Sequence, residues 1–469
     1  MADTQEYDIV IVGGGPGGYV AALRAAQLGA KVALVEKDRL GGTCLNRGCI
    51  PTKALLRSAE ALLEAKHMDK LGVSVDAVKP NMAKMMERKN QIVSSLGSGI
   101  EALMKGGGIA VVRRTGKLVS ARKVSVNGQE ISGRKVVLAP GSVPARIPIP
   151  GLDLPGVVTS DGILDITEIP KSLAIIGGGV IGIEFASLFA SLGSKVYVVE
   201  MLPAILPPVD EELARRFSQV LRGQGVEVNT AAKVKEIVKA GDGLAVNFDT
   251  AKGPQSVNVE MVLVAVGRSP YTEGLGLAEA GITMNRRAIA VNDKMETNLE
   301  GVYAIGDATG GIMLAHVASY QGDIAVENAL GREPRQASYR LVPNCIFCIP
   351  EIAAVGLTEK QAQEQGLPLK VSKFPFAALG RAQTMGETTG LVKLLCHADT
   401  GEILGAHILG PRATDIIAEL GLAMKMGATA KDLAHTIHAH PTFPEAIYEA
   451  ALGQFEGSLH YRVARLGGS

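Results

Sequence analysis

Apolar positions in this chain fall into short unbroken runs, each ended by glycine and followed by a stretch with helical spacing. Residues 7–36 read YDIVIVGGGPGGYVAALRAAQLGAKVALVE: an apolar run, a glycine turn, a helix of alanine and leucine, Gly29, and a second apolar run closed by Glu36. That order predicts a βαβ unit built on a buried parallel sheet. Residues 173–200, LAIIGGGVIGIEFASLFASLGSKVYVVE, repeat the plan 164 positions later. Gly13, Gly15 and Gly18 recur as Gly177, Gly179 and Gly182, Gly29 as Gly193, and Glu36 as Glu200.

Two further apolar runs, KVVLAPGS (135–142) and MVLVAVGRSP (261–270), predict a closing strand for each unit. A third, GVYAIGDATGG, ends in Asp307 ahead of a helical pattern from about Met313. Asp307 is then either a ligand-facing carboxylate at the end of a strand or the cap of that helix. Residues 80–105, PNMAKMMERKNQIVSSLGSGIEALMK, predict one long helix whose methionine stripe packs into a core. Proline-rich VPARIPIPGLDLPG (143–156) reads as a crossing segment, and after REPRQASYRLVPN (332–344) strands followed by helices give an α+β pattern. The expected fold class is α/β, with two Rossmann-like dinucleotide-binding domains plus a C-terminal α+β domain. The boundaries read as 1–147, 148–270, a central part 271–341 that completes the first domain, and 342–469.

Both glycine sets have the spacing G-x-G-x-x-G, and each glycine has a reason. The first permits a tight turn, the second lets the backbone approach a pyrophosphate, and the third lets helix and strand pack closely. Glu36 and Glu200 end their units where a carboxylate would accept hydrogen bonds from ribose hydroxyls and repel an added 2′-phosphate. The residues after Glu200, MLPAILPPVDEE, hold no Arg or Lys to receive that phosphate, so NAD is favoured over NADP.

Charge adds an exclusion: the net charge is +1 with both signs interspersed, which lacks the footprint of a nucleic-acid or membrane-surface binder. The start, MADTQEYDIVIVGGG, has neither a basic nor an apolar leader segment, and no run is long enough to span a bilayer. A cytoplasmic protein is expected, and five cysteines in 469 residues make no disulfide framework.

Cys44 and Cys49 lie in LGGTCLNRGCIPTKALL. A bond closing so short a loop would stabilise by only about 2 kcal/mol. Five steps of regular helix rise about 7.5 Å, beyond the roughly 7 Å reach of a disulfide, although Gly48 and Pro51 permit a distorted turn. Thiols at the N-terminus of the helix that follows, with its pattern Leu55, Leu56, Ala59, Leu62 and Leu63, would have the thiolate favoured. Cys345 and Cys348 form C-x-x-C, and His435, His438 and His440 lie close together; but a strand puts residues three apart on opposite faces, so the two cysteines read as small core residues rather than zinc ligands. Cys396 reads the same way. No metal is expected.

GGTCLNRGCIPTK resembles the redox-active disulfide motif of the FAD-dependent pyridine nucleotide-disulfide oxidoreductases of class I. The paired glycine motifs, YAIGDATGGIMLAH, FPFAALGRAQTMGETTGLVKLL and HAHPTFPE carry the resemblance along nearly the whole chain. It implies that the C-terminal domain is a dimerisation domain of a homodimer. It further implies oxidation of protein-bound dihydrolipoamide to lipoamide, with reduction of NAD+ to NADH through a redox-active disulfide and FAD. Cys44 would exchange with the dithiol, Cys49 would lie against the flavin, and Lys53 would contact the flavin and pair with Glu184. His440 would be the base, oriented by Glu445, with His438 structural. The first glycine set, Glu36, Gly116 and Asp307 would bind FAD, with Ala315 near its ring; the second set, Glu200 and Gly267 would bind NAD. The implied partner is a lipoyl domain or lipoyl protein of a 2-oxo acid dehydrogenase complex or glycine-cleavage system. Departures from the family pattern are Val317, Gln321 and the cysteine-rich NCIFCIPE, which put the substrate channel and any partner surface in question. Rival activities are a glutathione- or mercuric-type reductase and a flavin redox sensor without turnover; RVARLGGS lacks the terminal cysteine pair of the mercuric type.

Overall fold

The first apolar run forms β1 (Tyr7–Val12), which pairs in parallel with β2 (Val32–Val35) across α1 (Pro16–Gln27). β3 (Ala110–Val112) extends the sheet beyond β2; on the other side of β1 lies β6 (Gln129–Leu138), preceded by β4 (Gly116–Ser120) and β5 (Lys123–Val126). The strand Val302–Ala304 joins β6 in parallel, so residues far along the chain complete this first sheet. The computed structural model describes residues 6–455 and 457–461; MADTQ at the start and RVARLGGS at the end lie outside the described residues.

The repeated unit builds a second parallel sheet. β7 (Ser172–Ile176) and β8 (Lys195–Val199) pair across α5 (Val180–Leu192), flanked by Glu227–Asn229, Met261–Val264 and Val157–Thr159. From residue 344 a five-stranded antiparallel sheet follows, with β10 (Ile403–Leu409) at its centre beside β9 (Leu391–His397). Helices α8 (Ala413–Lys425) and α9 (Glu445–Leu452) supply Ile417, Leu420, Ala446 and Ile447 to the core beneath it.

Between the glycine units, α2 (Gly42–Arg47) and α3 (Cys49–Lys66) carry the two cysteines, and α4 (Met82–Gly106) is the predicted long helix. The stripe Leu55, Leu56, Ala59 and Leu62 of α3 is buried in one core with Phe185 and Phe189 of α5 and Phe217 of α6 (Glu211–Gly223), while Leu63 is partly buried. Phe185 and Phe189 stack with centroids 6.3 Å apart. Truncating any of these phenylalanines to Ala would cost about 3–5 kcal/mol, so the helix that bears Cys49 is firmly seated on the second dinucleotide unit. The methionine stripe of α4 packs inward as expected, with Met85 and Met86 against this core, Met82 buried, and Met104 buried in the core of the first sheet.

Candidate active site

The first glycine of each set lies in the left-handed region, Gly13 at φ 106° and Gly177 at φ 110°. A Cβ there would lie 2.1 Å from the Ala139 carbonyl oxygen at Gly13 and 2.4 Å from that of Ala265 at Gly177. The third glycines are packed against the first: a Cβ on Gly18 would sit 1.8 Å from the Gly13 oxygen, and one on Gly182 2.1 Å from that of Gly177. At the second glycines the space is open, with nothing within 4 Å at Gly179 and only Gly42 Cα, at 3.9 Å, beside Gly15. These two residues precede α1 and α5, neither of which has a side-chain cap or an acid in its first turn. Free N–H groups at a helix start, with clear backbone before them, suit a pyrophosphate.

Both turns open on one cavity of about 1550 Å³. That exceeds the roughly 300–1,000 Å³ of an ordinary small-molecule pocket, as two dinucleotide sites meeting end to end would. Gly13, Gly15, Glu36, Gly116, Asp307 and Ala315 line it from the first unit, and Gly177, Gly179, Glu184, Glu200 and Gly267 from the second. Cys44, Cys49 and Lys53 lie on the same wall. Gly18 and Gly182 do not line it; their part is the packing beneath the turns.

Glu36 accepts the Gly14 N–H at 2.6 Å and the Asp38 N–H at 2.7 Å. Glu200 repeats this with the N–H groups of Gly178, at 2.5 Å, and Leu202, at 2.7 Å. Each carboxylate is thus held by its own loop, with lone pairs to spare for further donors. Asp307 does not cap the helix after it: α7 (Ala315–Ala329) starts at Leu314 without a side-chain cap, and Asp307 accepts from Ser142 Oγ.

The helical path breaks between the cysteines at Gly48, whose φ of −146° and ψ of −111° end α2 and start α3. Sequence expectation placed both thiols at one helix start, but only Cys49 is there, as the first residue of an 18-residue helix; Cys44 belongs to the short helix before it. The two are free thiols, and Cys44 donates to Cys49. That hydrogen bond and the nearby Lys53 ammonium bring Cys49 down to about 7 against the pull of burial, whereas the same bond and burial push Cys44 up. The two thiols are thus shifted in opposite directions, Cys49 down and Cys44 up.

Lys53 lies 2.8 Å from both oxygens of Glu184, and its Nζ is 4.6 Å from the centroid of the Phe347 ring. The Phe347 N–H donates to Glu184 at 2.9 Å, so α3, α5 and the start of the antiparallel sheet meet on this ion pair. Cys348 is buried as expected, but Cys345 corrects the core assignment: it is half-buried and lines the cavity. Burial raises its thiol to about 11. Among the described residues no three or more His, Cys, Asp or Glu are gathered as a metal site.

His440 and Glu445 are not in the cavity wall. His440 Nδ1 lies 2.8 Å from Glu445 Oε1, and the other carboxylate oxygen accepts the Thr442 N–H at 2.7 Å. Burial works to raise Glu445, and the Thr442 and His440 bonds overcome it, so its pKa is lowered. The imidazole side chain is 78% exposed. His438 is different: Glu419 at 2.8 Å and the Thr436 carbonyl at 2.9 Å hold both its ring nitrogens, and the Glu419 bond raises its pKa.

The bonding of three side chains, one of them named above only as a departure, was missed in the sequence. Arg268 donates to Ser142 Oγ at 2.7 Å, and Ser142 in turn bonds Asp307, tying the end of the second unit's closing strand to the first unit. Gln321, a departure from the family pattern, is buried; it accepts the Gly306 N–H at 2.6 Å and donates to Tyr339, while Val317 is buried beside it. These two departures lie in the packing behind Asp307. None of the three forms a motif, since each works through a partner at least 15 residues away.

Comparison with known proteins settles the family. A model of the pyridine nucleotide-disulphide oxidoreductases matches residues 7–322, and the model of that family's dimerisation domain matches residues 342–451. This chain is a pyridine nucleotide-disulphide oxidoreductase. Among similar members of the family, a dihydrolipoyl dehydrogenase of Bacillus subtilis is 44% identical over 97% of this chain and 99% of its own length. A mitochondrial dihydrolipoyl dehydrogenase of Pisum sativum is 41% identical over 97% and 93%. Solved structures of this disulphide oxidoreductase architecture include LpdA from Mycobacterium tuberculosis, with TM-score 0.89, 29% identity and 94% and 98% of the two chains covered. The flavoprotein disulfide reductase RclA from Escherichia coli superposes with TM-score 0.86 at 32% identity over 95% and 99%.

Proposed function

We propose that this oxidoreductase oxidises protein-bound dihydrolipoamide to lipoamide and passes the electrons through FAD to NAD+. The observation that carries the reading is the Cys44–Cys49 pair, set on either side of the Gly48 break and lining the cavity shared by two dinucleotide turns. The dihydrolipoyl dehydrogenases with which it is 41–44% identical over nearly full length agree. FAD would be held by the first turn, Glu36 and Asp307, and NAD by the second turn, Glu200 and Gly267. When bound, FAD supplies two-electron carriage between a thiolate and nicotinamide.

The residues themselves perform the thiol chemistry. His440, held by Glu445 so that its other nitrogen is free, takes the proton of one substrate thiol. The resulting thiolate attacks Cys44 of the Cys44–Cys49 disulfide; a mixed disulfide forms, and Cys49 leaves as a thiolate, as its low pKa favours. The second substrate thiol passes its proton to Cys44 as its sulfur attacks the first, closing lipoamide and releasing Cys44 as a thiol, while the first proton stays on His440 until it is released to solvent. Lys53 balances the charge left on Cys49.

His440 is exposed and outside the cavity of its own chain, and the dimerisation domain supports a homodimer. In that dimer the C-terminal unit of one copy would bring its His440 to the disulfide of the other. The partner would be a lipoyl protein of a 2-oxo acid dehydrogenase complex or the glycine-cleavage system. Among the described residues no helix is long and apolar enough to cross a membrane.

Purified protein given dihydrolipoamide and NAD+ is expected to form NADH. Absence of that turnover, with reduction of glutathione disulfide by NADPH in its place, would contradict the reading.

A further inference from the structure

The residues that follow Glu200 form one wall of the cavity, with Met201, Leu202, Pro207 and Pro208 facing it. This wall follows a strained path: Leu206 is fully buried at φ 53°, in the left-handed region that side chains rarely adopt. Such a conformation persists only where the surroundings over-determine it. On the glycine-turn side, the Leu206 N–H donates to the Gly178 carbonyl at 2.8 Å. The far end runs into Asp210, which is 2% exposed and caps α6 through the Glu212 N–H.

Asp210 is gripped from another part of the molecule. Lys393, in the middle of β9, puts its ammonium 2.8 and 3.0 Å from the two Asp210 oxygens and is itself 1% exposed. Glu359 adds a carboxylate at 2.7 Å from the same ammonium and donates its N–H to Asp210 at 3.3 Å; Glu212 lies 3.4 Å away. Directly across the sheet from Lys393 is His407, 0% exposed, whose Nε2 donates to the Leu357 carbonyl at 2.8 Å while Nδ1 has no partner among the described residues. Burying an ammonium among carboxylates is expensive and stabilises little over an apolar packing; what it provides is a fixed geometry.

We infer that Lys393 and Asp210 are positioning residues for the nucleotide pocket: the antiparallel sheet, through Lys393, clamps the wall 201–209 in its strained course. The inference rests on the reading above that the second glycine unit binds NAD. It gives the C-terminal unit a hold on nucleotide binding that is separate from its part in the thiol chemistry.

The test uses the full-length, FAD-loaded protein carrying Asp210→Asn, which keeps a good helix cap but loses the ion pair with Lys393. Lys393→Met is the companion variant. Two readouts are compared: NADH affinity by equilibrium titration, and the rate at which dihydrolipoamide reduces the protein. Asp210→Asn is expected to weaken NADH binding about tenfold, within the usual range for couplings carried through packed elements, with the dihydrolipoamide step changed less than about twofold. Adding Leu206→Gly should recover part of the affinity, because glycine adopts that φ freely. An unchanged NADH affinity in folded Asp210→Asn overturns the clamp, as does an equal fall in both readouts. A parent that binds NADH but does not react with dihydrolipoamide contradicts the proposed reaction, and the titration still decides the clamp.

Discussion

Cys49 shows how much chemistry one position collects. It starts a long helix, accepts a hydrogen bond from Cys44 and lies near the Lys53 ammonium, and together these outweigh burial. With a pKa of about 7, its thiolate fraction rises with pH through neutrality, and a thiolate of low pKa is also the better leaving group in disulfide exchange. Cys44→Ala removes the largest of these influences, so the apparent pKa of Cys49 is expected to climb toward the ordinary thiol value of about 8.5 or beyond it. Site-resolved alkylation against pH reads this directly; a midpoint still near 7 in the variant would show that Cys44 does not set it. The glycine spacing, both acidic ends and the cysteine pair were all legible in the sequence at this scale. The asymmetry of the pair was not legible in the spacing, because it depends on the break at Gly48 and on the placement of Lys53.

At the scale of elements, the two βαβ units are legible because parallel strands buried on both faces must be apolar throughout, and a glycine turn must follow them. What spacing does not convey is which glycine serves the ligand and which serves the fold. Gly13 and Gly18 would clash with backbone if given a side chain, whereas Gly179, at φ −75°, borders open space. Gly179→Ala is therefore expected to leave thermal stability within about 0.5 kcal/mol of the parent, while the new methyl obstructs the pyrophosphate and raises the KM for NAD+ at least about tenfold. Thermal unfolding beside NAD+ kinetics checks both halves, and a large stability loss would show that this glycine is structural. Arg268 and Ser142 were harder to read because their bonds reach partners 126 and 165 positions away, and no local pattern marks such a residue.

For the whole molecule, the separation of His440 from the cysteine cavity is the decisive fact. His440 is exposed on the antiparallel unit, Cys44 and Cys49 line a cavity between the dinucleotide units, and the proposed reaction needs them together. Sequence places these residues almost 400 positions apart and cannot say whether one chain or two closes the site. In the reaction proposed above a two-fold dimer would close it twice, each His440 serving the other chain's disulfide. The direct test joins a Cys44→Ser chain and a His440→Gln chain, each expected to be inactive as a homodimer, and follows NADH formation from dihydrolipoamide and NAD+. In the heterodimer one site carries both substitutions and the other carries neither, so activity should return to about half that of the parent dimer. Heterodimers no more active than either homodimer would contradict the shared site.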